Sequence, residues 1–144
     1  MSIINRKAKY KFHLYNYYIA GIQLLGSEVK SIRKNKVNIS ESFCQIKNGE
    51  LYSINMYIEK YEFVFDPNYS TNRDRKLLLN KNELLKINKK LLNPGITIIP
   101  IEIFFNKNGY AKMKIAIAKG KKNHDKRESI KKRESIRDVK RYFI

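Results

Sequence analysis

Carboxylates and cysteine are both scarce in this chain of 144 residues, and each scarcity closes off a class of function. Only 13 Asp+Glu stand against 31 Lys+Arg. Glu28, Glu41 and Asp66 are scattered, so no carboxylate pair for general acid–base work is recognisable. Cys44 is the one cysteine, which excludes an intrachain disulfide and any zinc site built on several thiolates. Histidine is limited to His13 and His124. His13 falls within strand-like alternation, as a surface or half-buried residue does. His124 and Asp125 are the residue types of a base and its orienting carboxylate, but their surroundings offer nothing to hold that geometry. Walker, Gly-x-Ser-x-Gly and His-Glu-x-x-His motifs are absent. The chain is therefore not expected to be an enzyme or to carry a metal or cofactor. Long apolar runs are missing too. Ile96 to Phe105 is much shorter than the roughly 20 residues of a membrane span, and Met1 to Lys11 holds no apolar run of signal-peptide length. These features predict a soluble, cytoplasmic protein without a membrane partner.

What is abundant is positive charge, a net of +18 at pH 7. Such a charge repels itself in a compact chain and persists most easily beside a polyanion. Nucleic acid is the first candidate, because Lys and Arg that neutralise phosphates release condensed counterions. The AT-rich codons shared by Lys, Ile, Asn and Tyr also raise the Lys count. Hydrophobic residues make up 42% of the chain, enough for a real core. The length suits one domain, predicted over 1–118, followed by a basic tail over 119–144.

Along the chain, Asn5-Arg6-Lys7-Ala8-Lys9 is a basic lead-in, and Tyr10 to Leu25 reads as a strand with a bulge or bend at Ala20-Gly21. A short helix is expected near 26–34, with Ser27 as its cap. Strands follow over Ser42–Lys47 and Glu50–Ile58, joined at Asn48-Gly49, whose residues tolerate the positive φ of a type I′ turn. Tyr61 to Arg75 is irregular. A second helix is expected near 80–92, capped by Asn80 with Glu83 three residues on, its buried face supplied by Leu84, Leu85, Ile87, Leu91 and Leu92. Ile96–Phe105 and Tyr110–Ala118 form a second hairpin. In it Met113, Ile115 and Ile117 point to one face, and Lys112 and Lys114 to the other. The fold class predicted is mainly β with flanking helices. A small OB-like antiparallel β-barrel is favoured, with an SH3-like barrel or an open α+β sheet as alternatives.

The tail carries eleven Lys+Arg and four Asp+Glu. Its few branched aliphatics make too weak a stripe to dock firmly, so it reads as disordered when free and helical on a partner.

Three basic groups are placed to bind phosphate: Arg33 with Lys36, then Arg73 with Arg75 and Lys76, then Lys112 with Lys114. If they converged on about six phosphates, affinity would fall roughly a thousandfold between low and moderate salt. The tyrosines, among them Tyr15, Tyr17, Tyr18, Tyr57, Tyr61 and Tyr69, are mostly explained as strand and core residues. No RNP-type aromatic motif occurs. Recognition of a structured RNA by shape and backbone suits such a barrel better than base-specific readout.

Several blocks then stand together: Asn5-Arg6-Lys7-Ala8, Ala20-Gly21-Ile22, Gly26-x-Glu28-Val29-Lys30-Ser31-Ile32-Arg33, Lys47-Asn48-Gly49-Glu50, Asp66-Pro67, Arg73-x-Arg75-Lys76-Leu77-Leu78-Leu79-Asn80, and Gly120-Lys121-Lys122-x-His124-Asp125-Lys126-Arg127. In this order they resemble the SsrA-binding protein (small protein B) family over nearly the whole chain.

The resemblance implies an OB-like barrel that binds the tRNA-like domain of transfer-messenger RNA. Through that RNA, and indirectly elongation factor Tu, it would act as a monomer on the stalled 70S ribosome. It implies an RNA-binding set of Asn5, Arg33, Leu78 and Lys112, beside the basic residues Arg6, Lys7, Lys36, Arg73, Arg75, Lys76 and Lys114. It also implies that the tail, from Lys119 through Gly120, Lys121, Lys122, His124, Asp125, Lys126 and Arg127 to Tyr142, becomes helical in the decoding centre of 16S ribosomal RNA and the mRNA channel. Glu28 is expected to cap or brace its helix rather than touch RNA. One departure stands out: the residue before Ala20-Gly21 is acidic in many relatives and is Ile19 here. The alternative reading is a general single-stranded nucleic-acid-binding or ribosome-associated OB-fold protein.

Overall fold

A computed structural model describes residues 2–121. The element order is β1 (Ser2–Ile4), α1 (Ala8–Lys11), β2 (Phe12–Ile22), α2 (Gly26–Arg33), β3 (Val37–Asn38), β4 (Phe43–Lys47), β5 (Glu50–Ile54), β6 (Tyr57–Ile58), β7 (Arg75–Leu78), α3 (Lys81–Leu91), β8 (Ile96–Phe105) and β9 (Ala111–Gly120). The main sheet runs β1-β8-β4-β5-β7-β2-β9, and β9 pairs back onto β8. That last pairing closes six strands into an OB-like barrel, with β1 laid along the free part of the β8 edge. Every pairing is antiparallel. β3 and β6 form a separate two-stranded ribbon.

Alternation decides the core. Met113, Ile115 and Ile117 on β9 are buried, as are Leu51, Leu77, Ile98 and Ile103 on neighbouring strands. Each such side chain stabilises the fold by about 1.5–3 kcal/mol relative to exposure. Ile32 of α2 and Ile87 of α3 join the same cluster. A smaller one joins Ala8 of α1 to Ile99 and Ala118.

The strand expected from Tyr10 begins instead at Phe12, because Ala8 to Lys11 forms a helical turn that buries Ala8. The bend in β2 sits at Asn16, whose φ is 49°, between the Tyr15 and Tyr17 pairings, and not at Ala20-Gly21. Asparagine tolerates that left-handed conformation through its short polar side chain. The strand expected over Glu50–Ile58 breaks at Asn55, φ 56°, into β5 and β6. Asn48 and Gly49 both have positive φ, as their hairpin requires. Helix α2 is capped from Leu25 rather than Ser27: Glu28 Oε1 accepts from the Leu25 N–H at 2.8 Å. In α3, Asn80 Oδ1 accepts from Glu83 N–H at 2.8 Å. Leu84, Ile87 and Leu91 form its inner face, whereas Leu85 and Leu92 are exposed because they fall off the 3–4 spacing of that face. β9 runs two residues past Ala118. Lys119 and Gly120 pair with His13 and Phe12, and Lys121 N–H donates to Lys11 O. Lys122, His124, Asp125, Lys126, Arg127 and Tyr142 lie outside the described residues.

Candidate nucleic-acid interface

The register of β7, β2, β9, β8 and β1 builds the site. Directly opposed residues in antiparallel strands share a face. One row across the outer surface therefore reads Leu78, Gly21, Lys112, Phe104 and Ser2. The next row on that face reads Ile19, Lys114, Glu102 and Ile4. Leu78, Ile19, Ile4 and Tyr17 are each about half exposed. Lys114 Nζ lies 4.8 Å from the Tyr17 ring centroid, a cation–π distance that holds the ammonium flat along the strands.

Gly21 keeps the first row low. A Cβ placed there would lie 3.2 Å from Leu78 Cβ, so a side chain would push the two strands' residues apart. The resulting surface has cations beside exposed apolar groups. Lysines can neutralise phosphate while leucine and isoleucine pack on a ribose or base.

Arg33 stands apart from these rows, over Phe105, whose side chain alternates away from Phe104 and packs against the core. Its guanidinium lies 4.8 Å from the Phe105 ring centroid, and a terminal nitrogen comes within 3.9 Å of a Cβ position on Gly109. Arg33 remains exposed, at the tip of the β8–β9 hairpin. Arg6 and Lys7 are exposed near α1, Lys7 with its Nζ 3.7 Å from Glu41. Lys36 is 3.9 Å from Glu59 and Lys76 is 3.8 Å from Glu50. Such surface pairs are worth little and open readily to a phosphate.

Two residues expected on the surface face inward. Arg75 has no exposed area. Its Nε donates to Glu28 Oε2 at 2.7 Å, and its other N–H groups reach the carbonyls of Met56, Arg73 and Thr71 and the Tyr69 hydroxyl. The expectation that Arg75 binds RNA is corrected on this geometry: all its donor directions are spent inside the protein. Asn5 is likewise buried. Its amide donates to Pro100 O at 2.9 Å and its backbone N–H to Ile101 O at 2.8 Å, which fastens the lead-in to the irregular step of β8 at Pro100, while its Oδ1 has no protein partner among the described residues and the residue lines a pocket with Lys7 and Lys11.

Arg73 lies between the two situations. Its side chain is partly exposed, yet its terminal nitrogen meets Glu28 Oε1 at 2.5 Å. Glu28 thus braces α2 and two arginines together. Burial pushes its carboxyl toward the neutral form. Hydrogen bonds from Arg73 and the Leu25 N–H, with the charge of Arg75, outweigh burial and hold it below the usual glutamate value. Cys44 is buried, which pushes its thiol far up and leaves it inert. Among the described residues no group of three or more His, Cys, Asp or Glu is placed to hold a metal, and no helix is long and apolar enough to cross a membrane.

The three basic groups do not converge equally. Lys112, Lys114 and Leu78 share one side, Arg33 lies over Phe105 near the tip of the β8–β9 hairpin, and Arg73 and Arg75 turn toward Glu28. Sequence reasoning missed Gly21, Ile4 and Phe104 as parts of the face. Only pairing register relates them, and no single strand displays it.

Fold and face together define a small basic antiparallel barrel whose outer sheet surface mixes cations with exposed apolar side chains, the kind of surface that docks on a nucleic-acid backbone. A family model described as SmpB protein matches residues 2–144. The SsrA-binding protein of Christiangramia forsetii is 49% identical over 98% of this chain and 90% of its own length. That of Bacteroides thetaiotaomicron is 46% identical over 99% of this chain and 95% of its own. A solved chain described as "tmRNA-SmpB: a journey to the center of the bacterial ribosome" is 40% identical, with a TM-score of 0.71 over 90% of this chain and 94% of that one. The chain belongs to the SmpB family, the SsrA-binding proteins.

Proposed function

We propose that this protein is an RNA-binding adaptor of ribosome rescue. It binds the tRNA-like domain of transfer-messenger RNA through the outer β7-β2-β9 face and delivers it to stalled ribosomes for trans-translation. It acts in the cytoplasm as a monomer, meets elongation factor Tu only through the RNA, and performs no covalent chemistry. Its tail enters the decoding centre and mRNA channel, where His124 stacks and the surrounding lysines and arginines neutralise ribosomal RNA. The observation that carries the reading is the row Leu78, Gly21, Lys112, with Ile19 and Lys114 beside it. It is low, and it offers apolar and cationic contacts side by side. Membership of the SsrA-binding proteins supports the choice of RNA.

The experiment is a competition gel shift between the tRNA-like domain and an unstructured RNA of equal length, using wild type, Leu78→Ala and Lys112→Ala/Lys114→Ala. Wild type should prefer the tRNA-like domain. Leu78→Ala should weaken that preference by on the order of tenfold, from about 1–2 kcal/mol of lost apolar contact. The double lysine variant should lower the salt slope by about 2. Equal affinity for both RNAs would favour a general single-strand-binding protein instead. A chain ending at Lys121 keeps all of β9 and should bind the RNA normally while failing to support peptide tagging; normal tagging would remove the role given to the tail.

A further inference from the structure

Away from the outer face, the loop between β6 and β7 presents Phe63 at 74% and Phe65 at 89% exposure, with Tyr61 behind them. Bare rings on a fixed loop mark an interaction site, and this loop is fixed at both ends. Glu59 N–H donates to Lys36 O and Ile58 N–H to Thr71 O, each at 2.9 Å. Beyond the rings, Tyr69 OH donates to Ile58 O and Arg75 holds Thr71 O. The tip itself turns through Val64 N–H to Tyr61 O at 3.1 Å.

The rings are surrounded by cations. Lys34 Nζ lies 5.2 Å from the Tyr61 centroid and 5.4 Å from that of Phe63, Lys30 lies 5.4 Å from Tyr61, and Lys60 lies 5.1 Å from Phe65. Tyr61 and Phe63 meet edge to face, their centroids 5.4 Å apart. Glu62 and Glu59 pair with Lys34 and Lys36 at the rim. An apolar partner would leave these ammonium groups poorly solvated, and an acidic protein would find no use for the rings. Unpaired nucleotides use both at once, with bases on the rings and phosphates on the lysines.

We infer that Phe63 and Phe65, with Lys30, Lys34 and Lys60, form a second RNA-contact site that stacks unpaired bases. The site deepens the RNA-binding reading above by adding a base-stacking mode to a backbone-docking face. Helix α2 and its C-cap present both sets of cations: Arg33 leaves toward the β8–β9 hairpin, while Lys30 and Lys34 leave toward this loop.

The test uses the full-length protein and two fluorescently labelled probes: an unstructured RNA dodecamer and an abasic oligomer with the same backbone. Phe63→Ala/Phe65→Ala and Phe63→Leu/Phe65→Leu should each weaken binding to the dodecamer by about tenfold or more. Both should leave abasic binding unchanged, and Phe63→Tyr/Phe65→Tyr should restore the dodecamer affinity. Lys30→Ala/Lys34→Ala should weaken both probes. Both rings are exposed, so the variants should keep the wild-type melting temperature. Wild-type dodecamer affinity in the alanine variant, or a loss equal on both probes, would overturn the inference; so would retention of affinity by the leucine variant, which would point to an apolar protein contact. The tRNA-like domain is assayed in parallel with Lys112→Ala/Lys114→Ala, so failure of the docking face and failure of this loop give different patterns.

Discussion

Arg75 and Lys114 leave strands of the same barrel with only β2 between them, yet they end in opposite worlds. Arg75 is enclosed and bound to Glu28, while Lys114 lies along the outer surface over Tyr17. The difference follows from the partner each strand supplies. Glu28 is carried to the barrel end by α2, where its carboxylate offers two oxygens to planar guanidinium groups, a geometry that arginine meets and lysine does not. On the outer face the neighbours of Lys114 are Ile19, Gly21 and Tyr17 on β2 and Glu102 on β8, so its methylenes lie on apolar surface on the β2 side while its ammonium stays at the surface. A basic residue in this chain is therefore structural where a helix brings a buried carboxylate to it and available where it lies on the outer sheet surface.

The largest effect expected is at the enclosed end of that comparison. Arg75→Ala leaves Glu28 buried beside Arg73 alone, and Glu28→Ala leaves Arg75 without its carboxylate. Each should destabilise the fold by about 3–5 kcal/mol in urea unfolding, since removing one partner of a buried pair strands the other. RNA affinity of the fraction still folded should be unchanged. A stable Arg75→Ala protein with weakened RNA binding would reverse the assignment of this residue.

Acid should loosen the same cluster. Glu28 is held below its ordinary value, so the stability it contributes is present at neutral pH and down to about pH 4.5. It is lost as pH falls through the lower, folded-state value. Glu28→Gln should flatten that part of the stability–pH curve. An unchanged curve would mean that other carboxylates govern acid unfolding.

The outer face is next. Gly21→Ala adds a Cβ 3.2 Å from Leu78 Cβ without touching any charge. About 1–3 kcal/mol of stability should be lost by overpacking. Affinity for the tRNA-like domain should fall with no change in salt slope, because the defect is one of shape. A reduced slope would show that Gly21 acts through the lysines.

Much of this was legible in the sequence because it rests on local chemistry. The two hairpins, the Asn80 cap and the alternation of Met113, Ile115 and Ile117 come from residues near one another in the chain. The bracing role expected of Glu28 likewise follows from its place in the first turn of α2. What was not legible depends on residues that meet only after folding. Arg75 lies 47 positions from Glu28, and nothing in Arg73-x-Arg75-Lys76 says which of the three turns inward. Asn5 meets Pro100 across 95 positions. Phe63 and Phe65 fall in the stretch read as irregular, and nothing in that reading says that a loop tied down on either side leaves their rings bare.

The smallest effect is also the one that divides the two faces most finely. Ile19 stands directly opposite Lys114. Ile19→Glu would set a carboxylate across the ladder from that ammonium and draw it off Tyr17. Stability should rise by about 0.2–1 kcal/mol at low salt, the range for an opposite-charge cross-strand pair, and the gain should fade as salt screens it. RNA binding should respond in two opposed ways. Pairing removes about one phosphate contact, so affinity falls at low salt and the salt slope drops by about 1. The carboxylate also accepts from ribose or base donors that isoleucine cannot serve, and that contribution does not depend on counterion release. The affinity curves of wild type and Ile19→Glu against salt should therefore cross, with the variant tighter at the high-salt end. Parallel curves would mean that Lys114 carries no phosphate, and the outer face would then have to work through Lys112 and Leu78 alone.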